Sequence, residues 1–449
     1  MKRNRWMSAS LVLALTVSLL AACSGNGGNG GEVNSGGNGK TETESSSGGK
    51  KTEVIKLKMW GGVPVEAGPQ AVVDAWNAEH PDIQVEYERF VNDDAGNMKL
   101  DTALTTGQGA DLFVNYAMPR LKQRIDAGQA LDLSEFADYN IDEQMGRDAS
   151  QWKVDGKYYG MPTTRGISFM WLNKDMLDAA GLPIPPADWT WADLREYAKK
   201  LKTDATWGLL RHEAIFMNPF NSVLESVGVT RADGTSNLDH PLLKEGFSTW
   251  HDMMFADKST PTYGEQMTSK MPVDTMFLKG ESAMLDAGGF IFRNANNLTD
   301  NPRTFKIAFA TTPRMSADQQ GAKAAGGLGD VLSINAKSAN KEAAWQFLKW
   351  YADGGMLPMA AGGRIPASKS VNGDEAAALL LKGVEDKYDI DSLKKVVFGQ
   401  FETFVESLPQ QVVDIRKAEY EKYLLQQAEL DASLAEMAEK HNEFLKQQP

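Results

Sequence analysis

Ile55-Lys56-Leu57-Lys58-Met59-Trp60-Gly61-Gly62 alternates apolar and polar side chains and then stops at two glycines. A period of two closed by glycine predicts a strand ending in a turn. Pro69 opens the next segment, which carries Val72, Ala75 and Trp76 on one helical face and closes at Pro81. Ile83-Gln84-Val85-Glu86-Tyr87 alternates again. Leu100, Ala103 and Leu104 follow at helical spacing, with Gly107 and Gly109 as a stop before the apolar run Leu112-Phe113-Val114. Strand, helix, strand, helix, strand predicts an α/β body with a parallel sheet and helices on its faces.

The same texture continues downstream. Val154 to Pro162 reads as a hairpin around Asp155-Gly156, and Ile167 to Leu172 as a short strand. Thr190 with Asp193 three residues on makes a variant capping box, starting a helix with Leu194, Tyr197, Ala198 and Leu201 on one face. Ala344, Phe347, Leu348 and Tyr351 predict a helix running from an Asn340 cap to a Gly354-Gly355 stop. From about Phe401 the chain is charged and glycine-free, and its apolar spacing predicts two closing amphipathic helices. No internal repeat is visible.

The N-terminus has its own logic. Lys2, Arg3 and Arg5 precede the charge-free run Leu11 to Leu20, which is too short for the ~20 residues of a membrane span. This is the pattern of a signal peptide. Leu20-Ala21-Ala22-Cys23 resembles the bacterial lipobox, which implies cleavage after residue 22 and a lipidated Cys23, the sole cysteine of 449 residues. The other readings are a membrane anchor, or a signal cut elsewhere with Cys23 a free thiol. Residues 24–50 are mostly Gly, Asn and Ser with a few Thr, Glu and Lys, and Val33 is the one large apolar side chain. They cannot repay folding entropy and act as a tether with an r.m.s. span of roughly 30 Å.

Removing residues 1–22 leaves 427 residues, and loss of Lys2, Arg3 and Arg5 takes the formal charge from −13 to −16. Such acidity argues against nucleic acid and against electrostatic docking on anionic lipid. Any membrane contact is then through acyl chains alone. With no cysteine left for a disulfide, the body must be held by core burial, and its length suits two lobes or three.

No catalytic constellation stands out. His212-Glu213-Ala214-Ile215-Phe216 starts like a zinc-protease motif but has Phe216 where the second imidazole belongs. There is no Gly-x-Ser-x-Gly elbow. The glycines at 288–289, 326–329 and 362–363 lack the Gly-Lys-Ser/Thr of a phosphate loop and read as places where backbone passes close to something, a ligand or another part of the chain. Asp233 to Asp239 does not fit a calcium loop. No metal or cofactor is expected. Paired carboxylates for glycoside hydrolysis stay open, since 60 Asp and Glu allow many pairings.

Four stretches together resemble one family. They are Gly109 to Phe113 with Gly128 to Leu133; Gly156 to Pro162 continued by Leu172 to Leu177 and Ala180 to Pro183; Phe277 to Met284 with Gly288-Gly289-Phe290; and Gly327 to Ile334, Lys341 to Trp350 and Gly363 to Ala367. In this order, after a lipobox, they resemble the family 1 extracellular solute-binding proteins, the maltodextrin-binding-like lipoproteins of sugar ABC importers. The resemblance implies a two-lobe, periplasmic-binding-protein-like α/β fold with a ligand cleft between lobes joined by crossing strands. It places lobe 1 at 53–163 plus 326–366 and lobe 2 at 164–325 plus 367–449, behind the 1–22 signal peptide and the 23–52 lipidated tether.

It also implies a small-molecule solute, a sugar, and the transmembrane subunits of an ABC permease as partners, with a monomer working at an outer membrane face; the long Gly/Asn/Ser tether adds the expectation of a single-membrane cell. A sugar needs aromatic planes beside hydrogen-bonding groups, and ligands lie beyond the C-terminal ends of parallel strands. Candidates are therefore Trp60, Asn115 and Tyr116 at strand ends, and Thr163 and Arg165 near the crossover. Asp286, Gly288 and Phe290 come from the third motif, Asp330 and Arg364 from the last. Asp111 is expected to organise a loop. Competing readings are a secreted carbohydrate-active enzyme, a sensor lipoprotein, or a receptor for a non-sugar solute such as a phosphorylated polyol.

Overall fold

The computed structural model describes residues 54–106, 109–399, 401–406 and 408–447. The signal segment, Cys23 and the tether lie outside the described residues. No helix among the described residues is long and apolar enough to cross a membrane.

Among the described residues there are ten strands: β1 (Ile55–Gly61), β2 (Ile83–Arg89), β3 (Leu112–Asn115), β4 (Met161–Asn173), β5 (Trp207–Arg211), β6 (Ser282–Gly288), β7 (Ile307–Thr311), β8 (Ala324–Ile334), β9 (Ile365–Pro366) and β10 (Thr403–Phe404). β1 pairs in parallel with β2, from Ile55 opposite Ile83 to Gly61 opposite Arg89, and in parallel with β3. The Pro69–Glu79 helix links β1 to β2 and buries Val72, Val73 and Trp76, with the Trp76 indole donating to the Ile83 carbonyl at 2.8 Å. The βαβαβ start read from periodicity is present.

The sheet is not parallel throughout. β8 runs antiparallel to both β3 and β4, and β4 antiparallel to β6 and β7. The strand order β2-β1-β3-β8-β4-β6-β5 makes one mixed sheet. The reason lies in β4 and β8, which are long enough to serve two cores. β4 pairs with β8 over Met161 to Ile167 and then with β6 from Ser168 onward. A strand that returns across the molecule enters from the opposite end.

The core divides accordingly. One cluster draws on residues 57–161, 328–359 and 367, and three others on 167–315, 360, 365 and 376–437. β4, β8 and the chain at β9 run between these bodies, and β9 pairs with Thr164 and Arg165 of β4. Gly326, with φ of 122°, sits at the β4–β8 crossing; a Cβ there would lie 2.5 Å from the Gly166 carbonyl oxygen. Only glycine lets the two backbones come that close.

Local signals hold where they rest on neighbouring residues. Thr190 and Asp193 form both halves of a capping box at the Trp191–Leu201 helix, and Asp155 and Gly156 take positive φ in a tight turn. The expected Asn340 side-chain cap of the Lys341–Trp350 helix is absent. Instead Asn340 donates its N–H to the Ser338 hydroxyl, which Asp111 accepts at 2.6 Å while also receiving the Lys58 N–H. Asp111 thus ties this loop to β1. The closing helices are Gln410–Leu424 and Leu430–Lys446.

Candidate functional site

The site grows from the C-terminal ends of β1, β2 and β3. Tyr116, one residue past β3, is half-buried, and its hydroxyl oxygen accepts the Gly62 N–H at 2.6 Å. Tyr87 on β2 donates to the Val63 carbonyl at 2.7 Å, and Tyr351 to the Met359 sulfur at 3.1 Å. The Tyr116 hydroxyl proton has no acceptor among the described residues. Burial pushes all three phenols up, with neighbouring Asp330 adding to the effect. They stay protonated at any physiological pH and can act as donors. Between them, with Met59 and Val72, lies a cavity of ≈10 Å³, the room of about one water.

Asp330 on β8 anchors the next layer. Its φ of 44° is one a non-glycine residue seldom takes, least of all in a strand. Two contacts hold it: the Thr163 hydroxyl donates to its carbonyl at 2.7 Å, and Arg364 Nε donates to its carboxylate at 2.8 Å. Thr163 is fully buried. Burial pulls the Arg364 guanidinium down, and Asp330 with Tyr116 more than offsets this, so its net direction is upward. The ion pair fixes Arg364 beside Tyr116. Such strained residues cluster at functional sites.

The second body meets this layer with the turn after β6. Gly288 is buried at the strand end, and half-buried Phe290 follows, its ring edge-on to His212 at 4.8 Å. Phe292 packs 4.6 Å from Trp171, which anchors the turn in its own core. Arg293 comes next, half-buried. A Cβ on Gly362 would lie 3.5 Å from the Arg293 Cβ, and one on Gly363, whose φ is 84°, would collide with the Gly289 carbonyl. The chain between Ala360 and Ile365, both packed with Phe292, passes this turn backbone to backbone. Burial lowers Arg293, then the charge of Arg364 lowers it further; Asp274 and Glu66 act oppositely. Burial also keeps His212 low, hence neutral near pH 7.

Tyr116, Asp330, Arg364 and the Thr163 that positions Asp330 therefore gather at one place, and Gly288 and Phe290 flank Gly289, which reaches the chain beside Arg364. Four expected residues do not join them. Trp60 is 5% exposed and packed in the first core, beneath Lys99, because the alternation of β1 turns Met59 toward the cavity and Trp60 away from it. Asn115 is fully buried, donating to Ser333 at 2.9 Å and accepting from Arg124 at 2.8 Å. Asp286 is buried against Arg211 at 2.8 Å. Arg165 is exposed on β4 and donates to the Ala367 carbonyl at 2.7 Å, bracing a crossing rather than the site. Tyr87, Tyr351 and Arg293 were not among the expected residues. Arg293 had one signal, its place three residues after Phe290.

No group of three or more His, Cys, Asp or Glu among the described residues is arranged to hold a metal. Residues 231–239 form an ordinary turn, with Asp233 capping Thr235 at 2.9 Å.

Comparison with known proteins places the chain in context. A family profile described as "Bacterial extracellular solute-binding protein" matches residues 62–353. A Brucella abortus (strain 2308) protein, named as a binding protein, is 28% identical over 298 residues, covering 63% of this chain and 68% of its own. An arabinooligosaccharide-binding protein of Halalkalibacterium halodurans is 32% identical over 153 residues, 33% of this chain and 34% of its own. Among solved structures, an ABC substrate-binding protein of Listeria monocytogenes in complex with cycloalternan superposes with a TM-score of 0.72 at 22% identity, covering 88% of this chain and 100% of that one.

Proposed function

Because the chain belongs to the bacterial extracellular solute-binding protein family, we propose that it captures a carbohydrate between its two lobes and delivers it, unchanged, to the transmembrane subunits of an ABC importer. The observation that carries this reading is the Asp330–Arg364 pair beside Tyr116, with the turn of Gly289 and Phe290 passing next to Arg364. It sets aromatic planes beside hydrogen-bonding groups, the combination a sugar's C–H faces and hydroxyl rim require. The saccharides named for the Listeria and Halalkalibacterium relatives point the same way.

The solute would sit where Gly289 and Gly363 approach, with lobes near the limits 53–163 plus 326–366 and 164–325 plus 367–449. Ligand can favour closure only through contacts it makes in the closed state and not in the open one. Residues on both bodies would supply such contacts. Cys23, lipidated after export, would hold this monomeric receptor at the outer membrane face.

Mass spectrometry of the small molecule that copurifies with the protein, followed by calorimetry against that molecule and a saccharide panel, tests the proposal. Binding of an oligosaccharide or glycoside without release of reducing sugar is expected. Release of reducing sugar would assign an enzyme instead, and binding of a non-sugar solute with no saccharide bound would overturn the carbohydrate assignment.

A further inference from the structure

Three arginines from three separate elements stand around the proposed cleft: Arg89 beside Gly62, which bonds Tyr116, Arg293 beside Gly362, and Arg364 two residues on from Gly362. Arg89 ends β2, Arg364 precedes β9, and Arg293 follows Phe290 on the facing body. Arg364 spends only Nε on Asp330; its two terminal nitrogens have no acceptor among the described residues. Arg293, half-buried, has no hydrogen bond or ion pair among the described residues. Arg89 is exposed, and its Nε lies 3.5 Å from the Gly62 carbonyl, long for a hydrogen bond. The nearby carboxylates are otherwise occupied or out in solvent: Asp330 on Arg364, Asp274 receiving the Asn294 amide at 2.8 Å, and Glu66 exposed.

This runs against the rest of the chain, in which 60 Asp and Glu outnumber 47 Lys and Arg. Arg293, with no partner, and Arg364, with two nitrogens unspent, are both half-buried, so they repel one another and lose hydration. A bound oxyanion would relieve both, and the planar fork of Arg matches carboxylate and phosphate. We propose that the solute is a sugar bearing an oxyanion, a carboxylate or a phosphate ester, received by Arg293 and the terminal nitrogens of Arg364 with Arg89 at the rim. This rests on the carbohydrate reading above and narrows its substrate class.

Matched pairs test it on the purified full chain: trigalacturonate against galactotriose for the carboxylate, glucose 6-phosphate against glucose for the ester, and inorganic phosphate alone. The acidic member of at least one pair is expected to bind tenfold or more tighter, by a margin that shrinks as salt rises. Which pair shows the margin identifies the anion. Arg293→Gln should erase most of that margin, costing the acidic sugar at least tenfold more affinity than its neutral partner, and Arg293→Lys should restore part of it. A neutral sugar that binds as tightly as its acidic partner overturns the inference and leaves the carbohydrate reading standing. Equal loss for both partners in Arg293→Gln also overturns it, making Arg293 a closure contact. Binding of phosphate alone, with no sugar bound, overturns both.

Discussion

Replacing Asp286 by Asn should unfold the protein more easily without removing its solute site. Asp286 and Arg211 face each other in register on β6 and β5, with side chains 5% and 2% exposed. The Arg211 guanidinium also donates to the Phe216 carbonyl at 2.9 Å and lies 3.9 Å from the Trp250 ring centre. One Asp286 oxygen and one Arg211 nitrogen have no partner among the described residues. Burial pushes the carboxyl up and the guanidinium down to about 10, against the pull of each partner on the other. Both shifts favour the neutral forms, so desolvation outweighs attraction and the pair is not a net source of stability. Breaking it is a different matter. Asp286→Asn leaves Arg211 charged and buried, which costs about 3–5 kcal/mol, or a fall in Tm of about 6–20 °C at ~2–4 °C per kcal/mol. Arg211→Met should cost a similar amount.

The double variant Arg211→Met/Asp286→Leu removes both charges and should return to within about 1 kcal/mol of the parent. The assay is urea unfolding followed by tryptophan fluorescence, with solute affinity measured alongside. A large favourable coupling and an affinity within threefold of the parent are expected. Unchanged stability in Asp286→Asn together with lost binding would refute this account and make Asp286 a solute contact. A double variant as unstable as the sum of the singles would refute the desolvation argument.

Gly363→Ala should force the Gly289 carbonyl away and bias the protein open; small-angle scattering should show a larger radius and calorimetry roughly tenfold weaker solute binding, and no change in either would place closure elsewhere. Glu419 is 1% exposed and bonded to Lys422 at 2.8 Å and Lys440 at 2.6 Å. Burial raises its pKa but the two ammonium groups more than reverse this. A depressed folded pKa adds stability that is present above the unfolded value, about 4.3, and is lost as pH falls through the folded one; Glu419→Gln should flatten stability against pH below about 4.3. Cys23→Ser should send the protein into the medium with solute affinity intact, and lost binding would break the separation of tether from body.

What was legible in the sequence was what neighbouring residues decide. Periodicity located β1, the Pro69–Glu79 helix, β2 and β3, and the Thr190 and Asp193 oxygens announced a capping box. What was not legible depends on partners far along the chain. A strand's end marks where ligands gather, yet one residue of register chooses the face, so Trp60 fell into the core while Tyr116, read with equal reason, faces the site. Asp286 looked like a polar contact beside Phe290 because its partner, Arg211, lies on another strand. The antiparallel entry of β8 has no local signal at all. The glycine clusters were recognised as close approaches; that Gly363 is approached by Gly289, and Gly326 by Gly166, takes three dimensions to know.

Those same approaches join the site to the crossing strands. Asp330, whose side chain holds Arg364, lies four residues along β8 from Gly326, and its carbonyl is held by Thr163 on β4. β9, which starts at the residue after Arg364, pairs with Thr164 and Arg165. A solute that draws on the free nitrogens of Arg364 therefore loads an ion pair mounted on both long crossing strands. On the opposite side it would meet Phe290 and Arg293, whose turn is locked to its own core through Phe292 and Trp171. Contacts on a rigid turn and on a strained crossing residue can be made together only when Gly289 and Gly363 are close. Differential affinity for the closed state then follows from where these residues sit, with no need for a separate lid.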